Sequence, residues 1–503
     1  MSLVSLIKQA IPKQMNPIVV KELRQAVRSR FISGIFILFL IVELFGIAVV
    51  LATSNFTSIH TNYHAGRDAF HFLFVTLSGG CLLFIPAYAA IRLSIERWDN
   101  NLDLMYITTI KPRQVVRGKL FSAMVIASLL FSAAAPFMVF SYLLRGIDLP
   151  SIFIAIAFVF IYVAAVTQFM IFIACLPTSR AFKIVLGLVG LAGIFWSLII
   201  VNMVGWEIIY NGTGSKFNDP DFWIESTITV IGIFLGVGML QRLTVALISP
   251  PTANRSLPVR IYATVVWLIT GIGTFCAAHY YSETEIILSW FFPSVIILCL
   301  SILLGLSERP QLSARVRATI PRNPILRRIS FLFYNGPVGA VLWAGTLLLI
   351  TFVTSFFIVA SSSTFTNYIS DWMFGMLSLV FYALAYGFCS LFIWRCFFAK
   401  RLKSTGIGVI AALLIAVGSI LPSITALLVN VGYSWSPAWE IGNIFTVAKD
   451  DHIYTHLFFS SIFALVFILL NASWIARQFK NFVPPPVSPS PSSASENMPP
   501  YEE

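Results

Sequence analysis

The stretch FISGIFILFLIVELFGIAVVLAT, residues 31–53, decides how the rest of the chain is read. It is apolar almost throughout and holds one ionisable side chain, Glu43. At about 1.5 Å per residue, a helix of this length crosses a hydrocarbon core of about 30 Å. Working outward, comparable blocks fall at 70–93, 120–144, 150–176, 182–204 and 224–248, then at 261–281, 285–306, 338–361, 372–398, 406–431 and 455–476. The expected fold is an all-α polytopic transmembrane helix bundle of about 12 spans. Composition points the same way. The 503 residues are 58% hydrophobic and 11% charged, with mean hydropathy +0.86. A soluble domain carries about a quarter charged residues, so this chain has too little polar surface for water.

Charge placement sets the expected orientation. Lysine and arginine favour cytoplasmic loops. With both termini cytoplasmic, all but four of the 33 Lys and Arg fall inside, the exceptions being Arg67, Arg145, Lys216 and Lys449. Acids such as Asp68, Asp148, Glu207, Asp219, Asp371 and Asp451 fall outside. The net charge of +12 is therefore a membrane-orientation signal and does not point to nucleic acid. The first 30 residues hold no uninterrupted apolar core of the kind a cleavable signal peptide needs.

Several chemistries are disfavoured. The Gly118-Lys119 pair is followed by Leu120, and Arg113 stands where a phosphate-binding loop needs its first glycine. No H-E-x-x-H motif occurs, and no soluble block is large enough for a catalytic domain, so no catalytic residues and no enzyme are expected. The six cysteines all lie inside apolar blocks and read as small hydrophobes. The histidines, His60, His64, His71, His279, His452 and His456, sit in or beside outer segments. Two pairs have helical i,i+4 spacing, but polar histidines collect where chain meets water, and no metal site is expected.

Glu43 is the exception within a span. A carboxylate at the bilayer centre costs about 3 kcal/mol or more, so it should face other helices or a wet cavity. Either it belongs to a translocation path, or it bonds a polar neighbour such as Gln168. Gly232 and Gly236 form a weak GxxxG packing signal.

Two basic segments carry more information. In NPIVVKELRQAVRSR, residues 16–30, Asn16 is suited to cap a helix with Pro17 in its first turn. Val20, Leu23, Val27 and Phe31 recur at helical steps with Lys21, Arg24, Arg28 and Arg30 between them, which suits the headgroup layer. The second segment, ERWDNNLDLMYITTIKPRQVVRGKL, residues 96–120, holds a helix-compatible stretch from Leu102 to Ile107 on the cytoplasmic face.

Together these segments resemble the permease subunits of type-2 ABC transporters, over about residues 10–250. In that family an amphipathic elbow helix with an N-P-x-x-x-K-E-L-R pattern precedes the first span; Asn16, Pro17, Lys21, Glu22, Leu23 and Arg24 match it. A coupling helix between the second and third spans has the pattern E-x-x-x-G-T-L-E-L-L-x-x-T-P, followed by a loop ending in G-K. Glu96, Leu102, Asp103, Leu104, Thr108, Thr109, Gly118 and Lys119 match it, with Lys111 and Pro112 in the same loop. Asn100-Asn101 replaces the usual glycine-threonine pair, and Ile110 stands where proline is expected.

The resemblance implies a permease of a bacterial cytoplasmic membrane that works with a separate ABC ATP-binding subunit. ATP would be bound by that subunit, with no cofactor on this chain. Besides that subunit and the lipid bilayer, a homodimer or a second permease is compatible with this reading. The expected organisation is an elbow segment over 1–30, a first six-span half over 31–250 with the coupling loop at 94–119, and a second half over 251–480. The second half has a basic cytoplasmic loop at 307–337, and a disordered Pro/Ser tail follows over 481–503. Residues 323–331, NPILRRISF, echo 16–24, but four spans follow them where six follow the first segment, so no internal duplication is inferred. The alternative from another class is a non-transporting membrane scaffold or assembly protein.

Overall fold

The computed structural model describes residues 16–53, 65–98, 111–144, 146–176, 180–212, 216, 218–250, 252–283, 285–360, 367–401, 404, 406–428 and 453–485. Among them every extended element is a helix and there is no strand. The chain divides into two compact units between Pro250 and Pro251.

In the first unit the short α1 (Pro17–Val27) precedes α2 (Arg30–Thr53), α3 (Ala65–Trp98) and α4 (Pro112–Leu143). There follow α5 (Leu149–Ala174), α6 (Arg180–Asn211) and α7 (Pro220–Ile248). In the second unit α8 (Ser256–Tyr281) and α9 (Ile286–Gly305) lead to two short helices, α10 (Ala314–Arg317) and α11 (Pro324–Phe333). Then come α12 (Pro337–Ala360), α13 (Asn367–Ile393, continued by a π-helical turn at Trp394–Phe398), α14 (Gly406–Leu428) and α15 (Ile453–Asn481).

Eleven of these helices are long and apolar enough to cross a membrane. The remaining expected span, 406–431, is helical as α14; its side chains are described over Gly406–Ser419, too short a stretch to count among the eleven. In hydrocarbon every backbone N–H and C=O must be satisfied within the segment, and an uninterrupted apolar run meets that requirement as a helix. The outward side chains agree. Phe45, Trp196, Met203, Leu304 and Phe357 are 67–71% exposed, a surface for acyl chains and not for water. The protein is thus a multi-pass α-helical membrane protein.

Each unit has its own core. In the first, α3 is central and packs against α2, α4, α5 and α6, with Phe70, Leu73, Phe74 and Leu77 fully enclosed. In the second, α13 packs against α9, α14 and α15, around Phe291, Val295, Ile302 and Ala344. The Cβ positions of Gly232 and Gly236 meet nothing within 4 Å among the described residues, so that pattern makes no close packing inside its unit.

Helix ends depart from the expected spans in a consistent way. The second span was expected to end at 93 and the third to begin at 120, but α3 runs on to Trp98 and α4 begins at Pro112. The loop expected at 94–119 is therefore mostly helix at both ends. Charged residues gave these ends the look of a loop, yet two of them, Glu96 and Lys119, are paired with one another, as described below. The loop expected at 307–337 likewise holds α10 and α11. At the start of the tail expected from 481, α15 extends to Asn481 and Phe482 is buried against Phe331 and Tyr334. Residues 486–503 lie outside the described residues.

Candidate functional site

The first unit holds the residues that sequence motifs singled out. Asn16 starts α1 by accepting the Ile18 amide at 3.2 Å through its side-chain oxygen, with Pro17 in the first turn. Its side-chain NH2 reaches across to donate to the carbonyl of Gln114 in α4 at 2.5 Å. The docked face of α1 is Ile18, Val19, Glu22 and Ala26. Of the stripe expected to be its apolar face, Val20 and Leu23 are half-buried, whereas Val27 is 77% exposed and Phe31, at the start of α2, 66%. A helix lying in the headgroup layer needs both, one face for protein and one for acyl chains.

Close approach of α1 to α4 depends on Gly118. A Cβ there would stand 2.9 Å from Asn16 Nδ2 and 3.0 Å from Ile18 Cγ2, so only glycine leaves room. Next to it, Lys119 is the hub of an ion cluster. Its Nζ lies 2.8 Å from Glu22 Oε1 and 2.8 Å from Glu96 Oε2. Glu96 also takes Lys21 at 3.1 Å, and Arg92 Nε lies 3.9 Å from Glu22 Oε2. Arg92 donates to Gln25 as well, and its guanidinium lies over the Tyr88 ring at 5.7 Å. The side chains of Lys119 and Glu22 are 5% and 7% exposed. Such a pair is poor evidence of net stability, but removing one member strands a buried charge.

Thus Asn16, Lys21, Glu22, Glu96, Gly118 and Lys119 converge on one spot, where three helices meet. Leu23 is half-buried and Arg24 exposed on α1, while Lys111 and Pro112 open α4. There the side chain of Gln114 accepts the Lys111 amide at 2.9 Å. Leu102, Asp103, Leu104, Thr108 and Thr109 lie outside the described residues. Arg92 and Gln25 were missed by sequence reasoning. Their only signal is a basic residue one turn before Glu96 and a polar residue on the docked edge of the elbow.

Glu43 sits mid-helix in α2, in one buried stripe with Phe39 and Ile47. It has no exposed surface, and neither carboxylate oxygen has a hydrogen-bond partner among the described residues. The expected bond to Gln168 is not made; Gln168 Nε2 donates instead to Thr244 Oγ1 at 3.2 Å, joining α5 to α7.

The second unit has its own ion pair beside the short amphipathic helix α11. Asn323 caps α11 on the Ile325 amide at 3.0 Å, again with proline in the first turn. Arg260 of α8 reaches both carboxylate oxygens of Glu308 at 2.6 Å and the carbonyls of Leu332 and Tyr334 at 2.8 Å. Glu308 also accepts from the Gly336 amide at 2.7 Å and the Ser256 hydroxyl at 2.9 Å. Neither residue was singled out by sequence, since an arginine and a glutamate at span ends look like ordinary orientation charges.

The histidines do not all face water as expected. His456 is 1% exposed, and its Nδ1 lies 3.0 Å from the buried hydroxyl of Tyr382. His71 packs edge-on against Trp206 and Tyr210, whose rings stack at 3.8 Å. His60, His64 and His452 lie outside the described residues.

The fold and composition define a multi-pass helical membrane protein. No family model, curated protein or solved structure matches the chain.

Proposed function

We propose that the chain is the membrane-spanning permease subunit of an ATP-driven transporter of the type-2 ABC class, in a bacterial cytoplasmic membrane. The observation that supports it is the docking of α1 onto α4 through Glu22, Lys119 and Glu96. Residues chosen from two separate motifs, up to 97 positions apart, form one electrostatic joint. In this reading α3 and α4 run out of the membrane on either side of the coupling segment, residues 99–110, which meets the ATP-binding subunit. Displacement of that segment would move both helix ends together, because Glu96 on α3 and Lys119 on α4 are tied at 2.8 Å. The elbow, tied to the same lysine, would follow. Access switching needs a bistable element biased by a ligand, here the nucleotide state of the partner.

Glu43 supports a transport role. A fully enclosed carboxylate with no hydrogen-bond partner among the described residues is costly at that depth. It lies on α2, which packs against α3 and α4, the helices that the joint would move.

The experiment is purification of the tagged full chain from its native membrane. An ATP-hydrolysing subunit should co-purify, with turnover that depends on this chain. Asp103→Lys combined with Thr109→Pro should abolish that association and leave membrane insertion intact, since neither position lies in a span. If the chain purifies without an ATPase, and ATP turnover of the membranes is unchanged by its deletion, the scaffold reading replaces this one.

A further inference from the structure

The foot of the second unit holds a cavity of about 300 Å³. Its walls come from the stretch before α10, the head of α12 and the last turns of α15. The floor is aromatic: Phe331 stacks on Phe479 at 4.5 Å and meets Phe482 edge-on at 5.1 Å. Around it stand Arg317, Gln311, Gln478 and Asn481. Among the described residues, none of these four side chains has a hydrogen-bond or ion-pair partner.

That contrasts with their neighbours. The Tyr334 hydroxyl donates to the Thr319 carbonyl at 2.7 Å. The Asn335 side chain accepts from the Ser256 amide at 2.8 Å and donates to the Ala253 carbonyl at 3.2 Å. The Gly336 amide is taken by Glu308. A guanidinium and three amides, Gln478 half-buried and the other three side chains open to solvent, thus stand around a space of ligand size.

The charge around it is mostly positive, and the acid beside it, Glu308, is already paired with Arg260. Residues 314–337 hold five arginines, Arg315, Arg317, Arg322, Arg327 and Arg328, and no acid, and Arg477 and Lys480 follow on α15. The ligand should therefore be an anion rich in acceptor oxygens, and guanidinium with amide donors suits phosphate. The neighbouring α11 says where that phosphate comes from. Ile325, Leu326 and Ile329 are 67%, 53% and 54% exposed on it. An amphipathic helix with bare aliphatic side chains and arginines belongs in the headgroup layer of an anionic leaflet.

We propose that this cavity binds the phosphate headgroup of an anionic phospholipid, held by Arg317 with Gln311, Gln478 and Asn481, while α11 lies in the same leaflet. The site stands apart from the transport reading and does not depend on it.

The test uses the full chain, purified in detergent and delipidated, with three probes: phosphatidylglycerol, phosphatidylcholine and glycerol 1-phosphate. Native mass spectrometry reads the bound fraction, and thermal unfolding without lipid checks that variants are folded. Phosphatidylglycerol should bind and phosphatidylcholine should not. A charge-assisted contact is worth about tenfold or more in affinity, so Arg317→Ala should weaken phosphatidylglycerol by that factor. Gln478→Leu and Asn481→Ala should each weaken it less, and Arg315→Ala, off the cavity, should leave it unchanged. The proposal is overturned if Arg317→Ala binds as the parent does, or if phosphatidylcholine binds equally. It is overturned in its lipid source if glycerol 1-phosphate alone binds as tightly with the same dependence on Arg317.

Discussion

Lys119 Nζ lies 2.8 Å from Glu22 Oε1, joining the elbow helix to the head of α4 across 97 positions of sequence, with both side chains almost wholly buried. The same ammonium holds Glu96 at the end of α3, so one lysine fastens three helices. Removing one member of such a pair leaves the other uncompensated, which costs about 3–5 kcal/mol. Lys119→Met should therefore lower the thermal unfolding midpoint of the purified protein strongly. Adding Glu22→Gln should recover a good part of the loss, because the stranded charge is gone. A double variant that falls by the sum of the two single losses would show that the two residues do not act as a pair.

In the second unit the geometry of Arg260 demands a guanidinium. One nitrogen serves Glu308 while the other serves two carbonyls at the end of α11. Lysine has a single nitrogen and cannot span those acceptors. Arg260→Lys should destabilise the protein nearly as much as Arg260→Met, and limited proteolysis should cut around 317–323 sooner in both. Full stability of the lysine variant would show that charge alone suffices there.

Glu43 should be dispensable for folding. Its oxygens have no partner among the described residues, and replacing an unpaired buried polar group by an apolar one of similar size is neutral or stabilising. Glu43→Leu should insert normally and unfold at an equal or higher temperature. Glu43→Lys should reduce the amount inserted, since lysine at the bilayer centre costs about 3 kcal/mol. A marked loss of stability in Glu43→Leu would reveal a bonding role for the carboxylate.

Orientation can be read by cysteine labelling in a background without the six native cysteines. An impermeant thiol reagent applied to intact cells should modify Asn218→Cys and spare Ser94→Cys and Ser313→Cys. Labelling of Ser313→Cys from outside would invert the orientation of the second unit.

Span existence and helical class were legible in the chain itself. An apolar run such as 31–53 leaves the backbone no partner in lipid except its own carbonyls, so the run determines the element with little help from neighbours. The start of α1 was legible too, because Asn16-Pro17 acts within one turn; Asn323-Pro324 carries the same signal, but its stretch was read as a loop. What only the tertiary structure decided is where the spans end and what the charges are for. Glu96 and Lys119 read as loop residues because, alone, each would need water, and Arg92 stood unexplained at the end of the expected second span. Packed against Glu22 they satisfy one another, and α3 and α4 can continue past the expected boundaries. The same holds for Arg260 with Glu308, for His456 against Tyr382, and for Phe482 in the core of what had looked like a tail. Apolar burial in a membrane depends on local composition, whereas the cost of a charge depends on a partner that can lie a hundred residues away.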